Sequence, residues 1–360
     1  KTEKHSSLFS PATLQRSLLR RSCRYRDLSS LSTTPLSGFY TIGALTGVQR
    51  VMFTTHEIRT ERGILQYRRE SLTGIRCRIS PVRIERQIDS APALPDSRER
   101  CPFCSDAINA STPTFGDGSR LHCGESVTFP NLYPFAKHHV VTVITTEHEP
   151  GRLSARHLAD AISGTTQAMI RSPGYASINW NYLPSAGASI VHPHLQGIVD
   201  AEPTRLVDLY LSAGRRYLVD HGHLYWDDLV DRERCSERFL FEDEIFWSAN
   251  PVPLGEREIR GILPISTLDE FEHYIEPLAR GIIRIIEFYR DLGTYAFNAS
   301  IFFDAPGTAG CGHRAFCSLI ARLNPNSLSM CDSAFMERLH LEPVILTLPE
   351  DLGALFREKS

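Results

Sequence analysis

The stretch NYLPSAGASIVHPHLQ, residues 181–196, decides how this 360-residue chain is read. If residues 192–196 are extended, side chains alternate between faces, so His192, His194 and Gln196 share one face while Pro193 and Leu195 take the other. Two imidazoles and an amide then line one pocket wall. Just upstream, Gly187, Ala188 and Ser189 let a ligand approach the backbone closely, and successive N–H groups there could cradle a phosphate. A bare pair of histidines one residue apart is as readily a polar surface loop. The reading therefore turns on partners elsewhere in the chain.

The bulk properties narrow the class of protein. Hydrophobic content of 42% with 22% charged residues describes a globular chain able to bury a core, as one large domain or two of ordinary size. No window of about 18 uninterrupted apolar residues occurs, so no membrane span is expected. A net charge of −3 argues against an electrostatic nucleic-acid binder. Nine scattered cysteines do not form the pattern of a secreted disulfide framework, and a reducing compartment fits them better.

Residues 1–60 read as a basic N-terminal extension. The first 50 are rich in Ser, Leu and Thr, with Arg16, Arg20, Arg21, Arg24 and Arg26 set against Glu3 and Asp27. Such a segment either resembles an organellar transit peptide or lies on the domain or a partner, so the expected compartment is the cytoplasm or, alternatively, a mitochondrial or plastid matrix. The segment 64–87 reads as two short strands about a Leu-Thr-Gly turn, and Arg83 and Arg86, three apart after Pro81, could hold an anion. Val140–Ile144 reads as a buried strand running to His148, residues 152–170 as a helix capped by Ser154, and residues 177–181 as another strand. Much of this order then recurs: FLFEDEIFWSAN, EIRGILPI, a helix from about 267 to 291, and YAFNASIFF. We read an internal duplication, with a first half over 61–200 and a degenerate second half over 201–360. Where the first half has His192-Pro-His194, the second offers Gly312-His313-Arg314-Ala315-Phe316-Cys317, so one catalytic centre per chain is expected, not two.

Cys101-x-x-Cys104 supplies two thiolates that suit a tetrahedral zinc if two further ligands converge, and His148 and His192 are the choices for those. His122, Cys123, His138 and His139 are rivals nearby, and a redox pair or two unrelated core cysteines would also satisfy the spacing. A site with four protein ligands has no open position, so the metal would be structural and would tie the 101 loop to the wall carrying His194.

Four separated segments, SLTGIRCRISPVRIERQ, CPFC, the Glu147–His148 strand end and NYLPSAGASIVHPHLQ, resemble the galactose-1-phosphate uridylyltransferase family, the long branch of the histidine-triad superfamily. The resemblance covers roughly residues 64–350. It implies an α+β fold of duplicated histidine-triad-like halves forming an extended antiparallel sheet with packed helices. It also implies a nucleotidyltransferase, in which His194 attacks the α-phosphorus of a nucleotide sugar or dinucleotide and a second phosphorylated substrate resolves the nucleotidyl-histidine. By the same resemblance Gln196, Ser189 and Gly187 serve the phosphoryl group, while Asn181, Asn131, Arg83 and Arg86 bind the nucleotide. Cys101, Cys104, His148 and His192 hold Zn2+, and the chain forms a homodimer. The departures matter too. No second metal site is expected, SAFMERLHLEP does not match the galactose-binding pattern, and Leu195 is closer to the phosphorylase-like branch acting on ADP-sugars or dinucleoside polyphosphates. The alternative is a catalytically reduced relative recruited into a larger assembly through residues 1–60.

Overall fold

The computed structural model describes residues 51–61, 63–85, 101–105, 107–145, 153–323 and 331–359. β1 (Phe53–Thr60) pairs antiparallel with β2 (Gly63–Glu70), and β2 with β3 (Arg76–Ile79). The Leu72-Thr73-Gly74 turn joins the latter two, with Gly74 at φ +76°, where a Cβ would be strained. β14 (Val344–Ile345) adds in parallel to β3 and completes a four-stranded sheet. Because β1 begins at Phe53, this hairpin takes up residues that the sequence assigned to the N-terminal extension. Residues 1–50 of that extension lie outside the described residues.

The second sheet has ten strands. Its first half comprises β4 (Leu121–Cys123), β5 (Ser126–Pro130), β6 (His138–Val143), β7 (Tyr175–Tyr182) and β8 (His194–Asp200). Its second half comprises β9 (Phe239–Glu242), β10 (Phe246–Ala249), β11 (Ile259–Ile262), β12 (Ala296–Phe302) and β13 (Phe316–Arg322). Across the sheet the order is β4-β5-β6-β8-β7-β12-β13-β11-β10-β9. Counted outward from the centre, the two halves run identically. The duplication read from the sequence is thus present as a pseudo-two-fold sheet, with β7 against β12 at the seam.

Five longer helices complete the molecule: α1 (Ala155–Met169), α2 (Arg205–His221), α3 (Tyr225–Arg234), α4 (Ile275–Asp291) and α5 (Pro349–Lys359). Ser154 caps α1 as its position suggested, accepting from the His157 N–H at 3.2 Å. α1 and α4 pack side by side on one face of the large sheet, where Ile178, Trp180, Leu195, Ala299, Ile301 and Leu319 face them in one apolar core. The opposite face is polar along its middle. Register places Gln196, Asn179, Ser300, Ser318, Arg260 and Ser248 opposite one another on successive strands. Period-two alternation therefore divides the sheet into a side covered by α1 and α4 and an opposite side whose first half carries the candidate chemistry.

Candidate active site

His194 opens β8 and Gln196 follows two residues on, so both project from the polar face, opposite Val143 and Val141 of β6. The His194 ring is 6% exposed, with the edge of Phe103 5.2 Å away, centroid to centroid. Its Nδ1–H donates to the His192 carbonyl at 2.8 Å. That bond assigns the tautomer: the proton sits on Nδ1, and Nε2 keeps its lone pair. Burial lowers the pKa of His194 from the ordinary histidine value, against a smaller opposing effect of the His192 carbonyl. The ring is held neutral and aimed, which is what a nucleophilic imidazole requires.

Gln196 is held by a residue that the sequence offered only as a rival metal ligand. His139 Nε2 lies 3.0 Å from Gln196 Oε1, and the Phe135 N–H approaches its Nδ1 at 3.4 Å. The amide nitrogen of Gln196 is then left as a donor. Asn131 lies at the same junction, its Oδ1 accepting from the Tyr133 N–H at 2.8 Å and its Nδ2 3.0 Å from His139 Nε2. Burial lowers the His139 pKa, partly offset by Gln196 and Asp200.

Cys101, Cys104 and His192 converge, their candidate ligand atoms all within 4.8 Å of one another. Cys101 Sγ lies 3.5 Å from His192 Nδ1, while His192 Nε2–H donates to the Thr145 carbonyl at 2.6 Å. An outer nitrogen bound to a carbonyl is the arrangement that fixes a metal-ligating imidazole, and two soft sulfurs with one such nitrogen fit a tetrahedral metal. This group could hold a metal ion. His148, the fourth ligand expected, lies outside the described residues. The four rivals do not join the group: His122 and His138 are exposed, Cys123 Sγ accepts from Gln167, and His139 is committed to Gln196. Phe103, between the two cysteines, contacts both His192 and His194, so the Cys101–Cys104 loop braces the imidazole wall directly.

The loop before His192 is a tight turn. Leu183, buried and at φ +71°, starts it, and Gly187, at φ +86°, ends a 3-10 turn over Pro184–Ala186. A Cβ on Gly187 would meet no atom within 4 Å, so glycine stands here for its backbone angle and not for space. The Gly187 and Ala188 N–H groups bond to the Pro184 and Leu183 carbonyls within the turn. The expected phosphate cradle thereby shortens: Ser189, exposed, is the first residue past those committed amides. Asn181, on β7, points to the same face.

Arg83 lies exposed on a 3-10 turn that follows β3 of the four-stranded sheet. Arg86 lies outside the described residues. Phe103, Asn179 and Asn298 were missed by sequence reasoning as members of this neighbourhood, and His139 was named there only as a rival metal ligand. Of the three missed, Phe103 alone carried a signal, its place inside the C-x-x-C.

The second half shows why it has no matching centre. β13 opens on Phe316 opposite Ile262 of β11, as β8 opens on His194 opposite Val143. Phe316 is fully buried against Tyr210 of α2 and Trp226 of α3, so helices fill the space that Phe103 and the Cys101–Cys104 loop border in the first half.

No family model matches the chain. An uncharacterized protein of Archaeoglobus fulgidus is 27% identical over 311 residues, covering 83% of this chain and 94% of that one. Among solved structures, an ADP-glucose phosphorylase from Arabidopsis thaliana with bound ADP-glucose aligns at TM-score 0.66 and 17% identity over 82% of this chain and 99% of its own. A uridylyltransferase aligns at TM-score 0.61 and 16% identity, over 81% and 97%. The chain shares the α+β fold of these galactose-1-phosphate uridylyltransferase-like proteins, which is the architecture its sequence resemblance implied. No described helix is long and apolar enough to cross a membrane.

Proposed function

We propose that this protein is a nucleotidyltransferase that splits a nucleotide sugar or dinucleotide through a covalent nucleotidyl-His194. The observation that carries the reading is the 2.8 Å bond from His194 Nδ1 to the His192 carbonyl, which leaves Nε2 unprotonated on the polar face. Nε2 attacks the α-phosphorus, an N–P bond forms, and the P–O bond to the leaving phosphate breaks. A phosphate oxygen of the second substrate then attacks the same phosphorus, the N–P bond breaks, and the electron pair returns to Nε2. Gln196, its oxygen engaged by His139, donates from its amide nitrogen to the phosphoryl oxygens as charge builds on them. Ser189 and the turn ending at Gly187 border the phosphate, Asn181 and Asn131 the nucleotide. Arg83 and Arg86 are assigned to the nucleotide as well.

Zn2+ is the ion we assign to Cys101, Cys104, His192 and His148, and when bound it supplies a structural clamp between the 101 loop and the imidazole wall. The thiolates and His192 orient that wall, and the catalytic proton bookkeeping stays with His194.

The experiment is to incubate the protein with UDP-glucose, ADP-glucose or a dinucleoside tetraphosphate and weigh it intact. A uridylyl or adenylyl adduct is expected, and His194→Ala should abolish it. No adduct with any of the three would overturn the assignment. Metal analysis of the same preparation should find zinc, lost in Cys101→Ser.

A further inference from the structure

At the seam of the two copies, Asn298 of β12 stands opposite Asn181 of β7. Asn298 Nδ2 donates to Asn181 Oδ1 at 2.7 Å and to the Ala186 carbonyl at 2.8 Å, so both of its amide protons serve the first copy. Its own oxygen accepts from Arg322 Nη1 at 2.7 Å. Arg322 is fixed in turn, with Nε donating to Asp332 Oδ1 at 2.7 Å, and Asp332 Oδ2 accepting from the Leu323 N–H at 2.9 Å. A guanidinium can only donate, so Asn298 cannot turn its amide over while Arg322 faces it. The constraint passes to the next residue: with Oδ1 occupied, Asn181 presents its NH2 group to the pocket.

We propose that Asn298, locked by Arg322, is a positioning residue through which the degenerate copy sets the amide orientation of Asn181 and the seat of the 183–189 loop. The proposal rests on the reaction assigned above. An Asn181 amide held this way donates to an anionic nucleotide, whereas an inverted one would present oxygen to the same charge. Ala186, whose carbonyl Asn298 also takes, precedes Gly187, so one side chain governs both the nucleotide contact and the turn beside the phosphate. This gives the second copy a role in a centre from which it contributes no histidine.

The test joins a mutant cycle with a measurement that needs no turnover. Asn298→Ala and Asn298→Asp are made alone and on an Asn181→Ala background. Asn298→Asp keeps the shape and the Arg322 partner but cannot donate to Asn181, so it guards against loss of fold. In the wild-type background each should slow adduct formation about tenfold. On the Asn181→Ala background the further loss should shrink, leaving only the part that passes through the Ala186 carbonyl. Side-chain amide NMR of the free protein should show the Asn181 NH2 resonances shifting in both variants. Equal losses in the two backgrounds, or unmoved Asn181 resonances, would overturn the proposal. Should wild type form no adduct, the reaction assignment fails, and the resonances alone still decide the positioning.

Discussion

His139 illustrates how one ring can decide what a neighbour does. Its Nδ1 faces a backbone N–H and its Nε2 faces Gln196, so the ring dictates which end of the glutamine amide looks into the pocket. His139→Leu removes the partner of the Gln196 oxygen and lets the amide turn over. Adduct formation should fall about tenfold, with nucleotide affinity changing far less, because the phosphoryl donor is then aimed at random. His139→Gln, whose amide nitrogen reaches the place of Nε2, should recover most of the rate in single-turnover mass measurements. From sequence, His139 was legible as a chemically able residue near the site, but not as a partner of Gln196. That pairing comes from β6 and β8 lying side by side with His139 opposite Ile198, two residues from Gln196, a register set across 57 positions of chain.

At the scale of elements, the site stands on a strand, β8, that helix α1 backs closely. A Cβ added to Gly197 would lie 2.5 Å from Met169 Sδ, 2.6 Å from Thr165 Cγ2 and 2.9 Å from Val140 Cγ2. Met169 and Thr165 belong to α1, so the missing side chain sets how closely the helix backs the catalytic strand. Gly197→Ala should destabilise the protein by about 1–3 kcal/mol, as overpacking of a closed core does, and chemical denaturation will measure it. The same alternation that sends Leu195 and Gly197 to the helix sends His194 and Gln196 to the pocket. Period two was readable in HPHLQ, and so were the hairpin after residue 63, α1 and its cap. The seam between β7 and β12 was not, since nothing local marks which strands of two copies will meet.

Over the whole molecule, duplication has been followed by divergence of the two polar faces. In the second half α2 and α3 cover that face, and His313 is buried there at 1% exposure with its ring edge-on to Trp226. Burial, aided by the nearby Arg215 charge, lowers its pKa to about 3. The unfolded chain takes up a proton near the ordinary histidine value of about 6.5, the folded one only near 3, so below pH 6.5 the unfolded state binds more protons. The stability tied to His313 is complete above that pH and is lost as pH falls through the window. Replacing it, as in His313→Leu, should flatten the difference in unfolding free energy between pH 6 and pH 5 by about 1.2 kcal/mol relative to wild type. Denaturant titrations at the two pH values check this. The converse face, with its Gln196, Asn179 and Ser300 ladder, stays polar because a ligand, and not a helix, is its proposed partner.

What the sequence by itself determined was the local vocabulary. Small-residue turn, H-x-H-x-Q alternation, C-x-x-C spacing and repeated strand–helix–strand order are all encoded within short windows, where backbone sterics and side-chain periodicity act directly. Only the tertiary structure decided the orientations: which nitrogen of His194 is left bare, which end of Gln196 faces the pocket, and that Asn298 from the other copy holds Asn181. The His194 bond spans only two residues, but its geometry is set by the loop and strand it joins; the other two link groups 57 and 117 positions apart and exist only once β6 lies beside β8 and β7 beside β12 in one sheet.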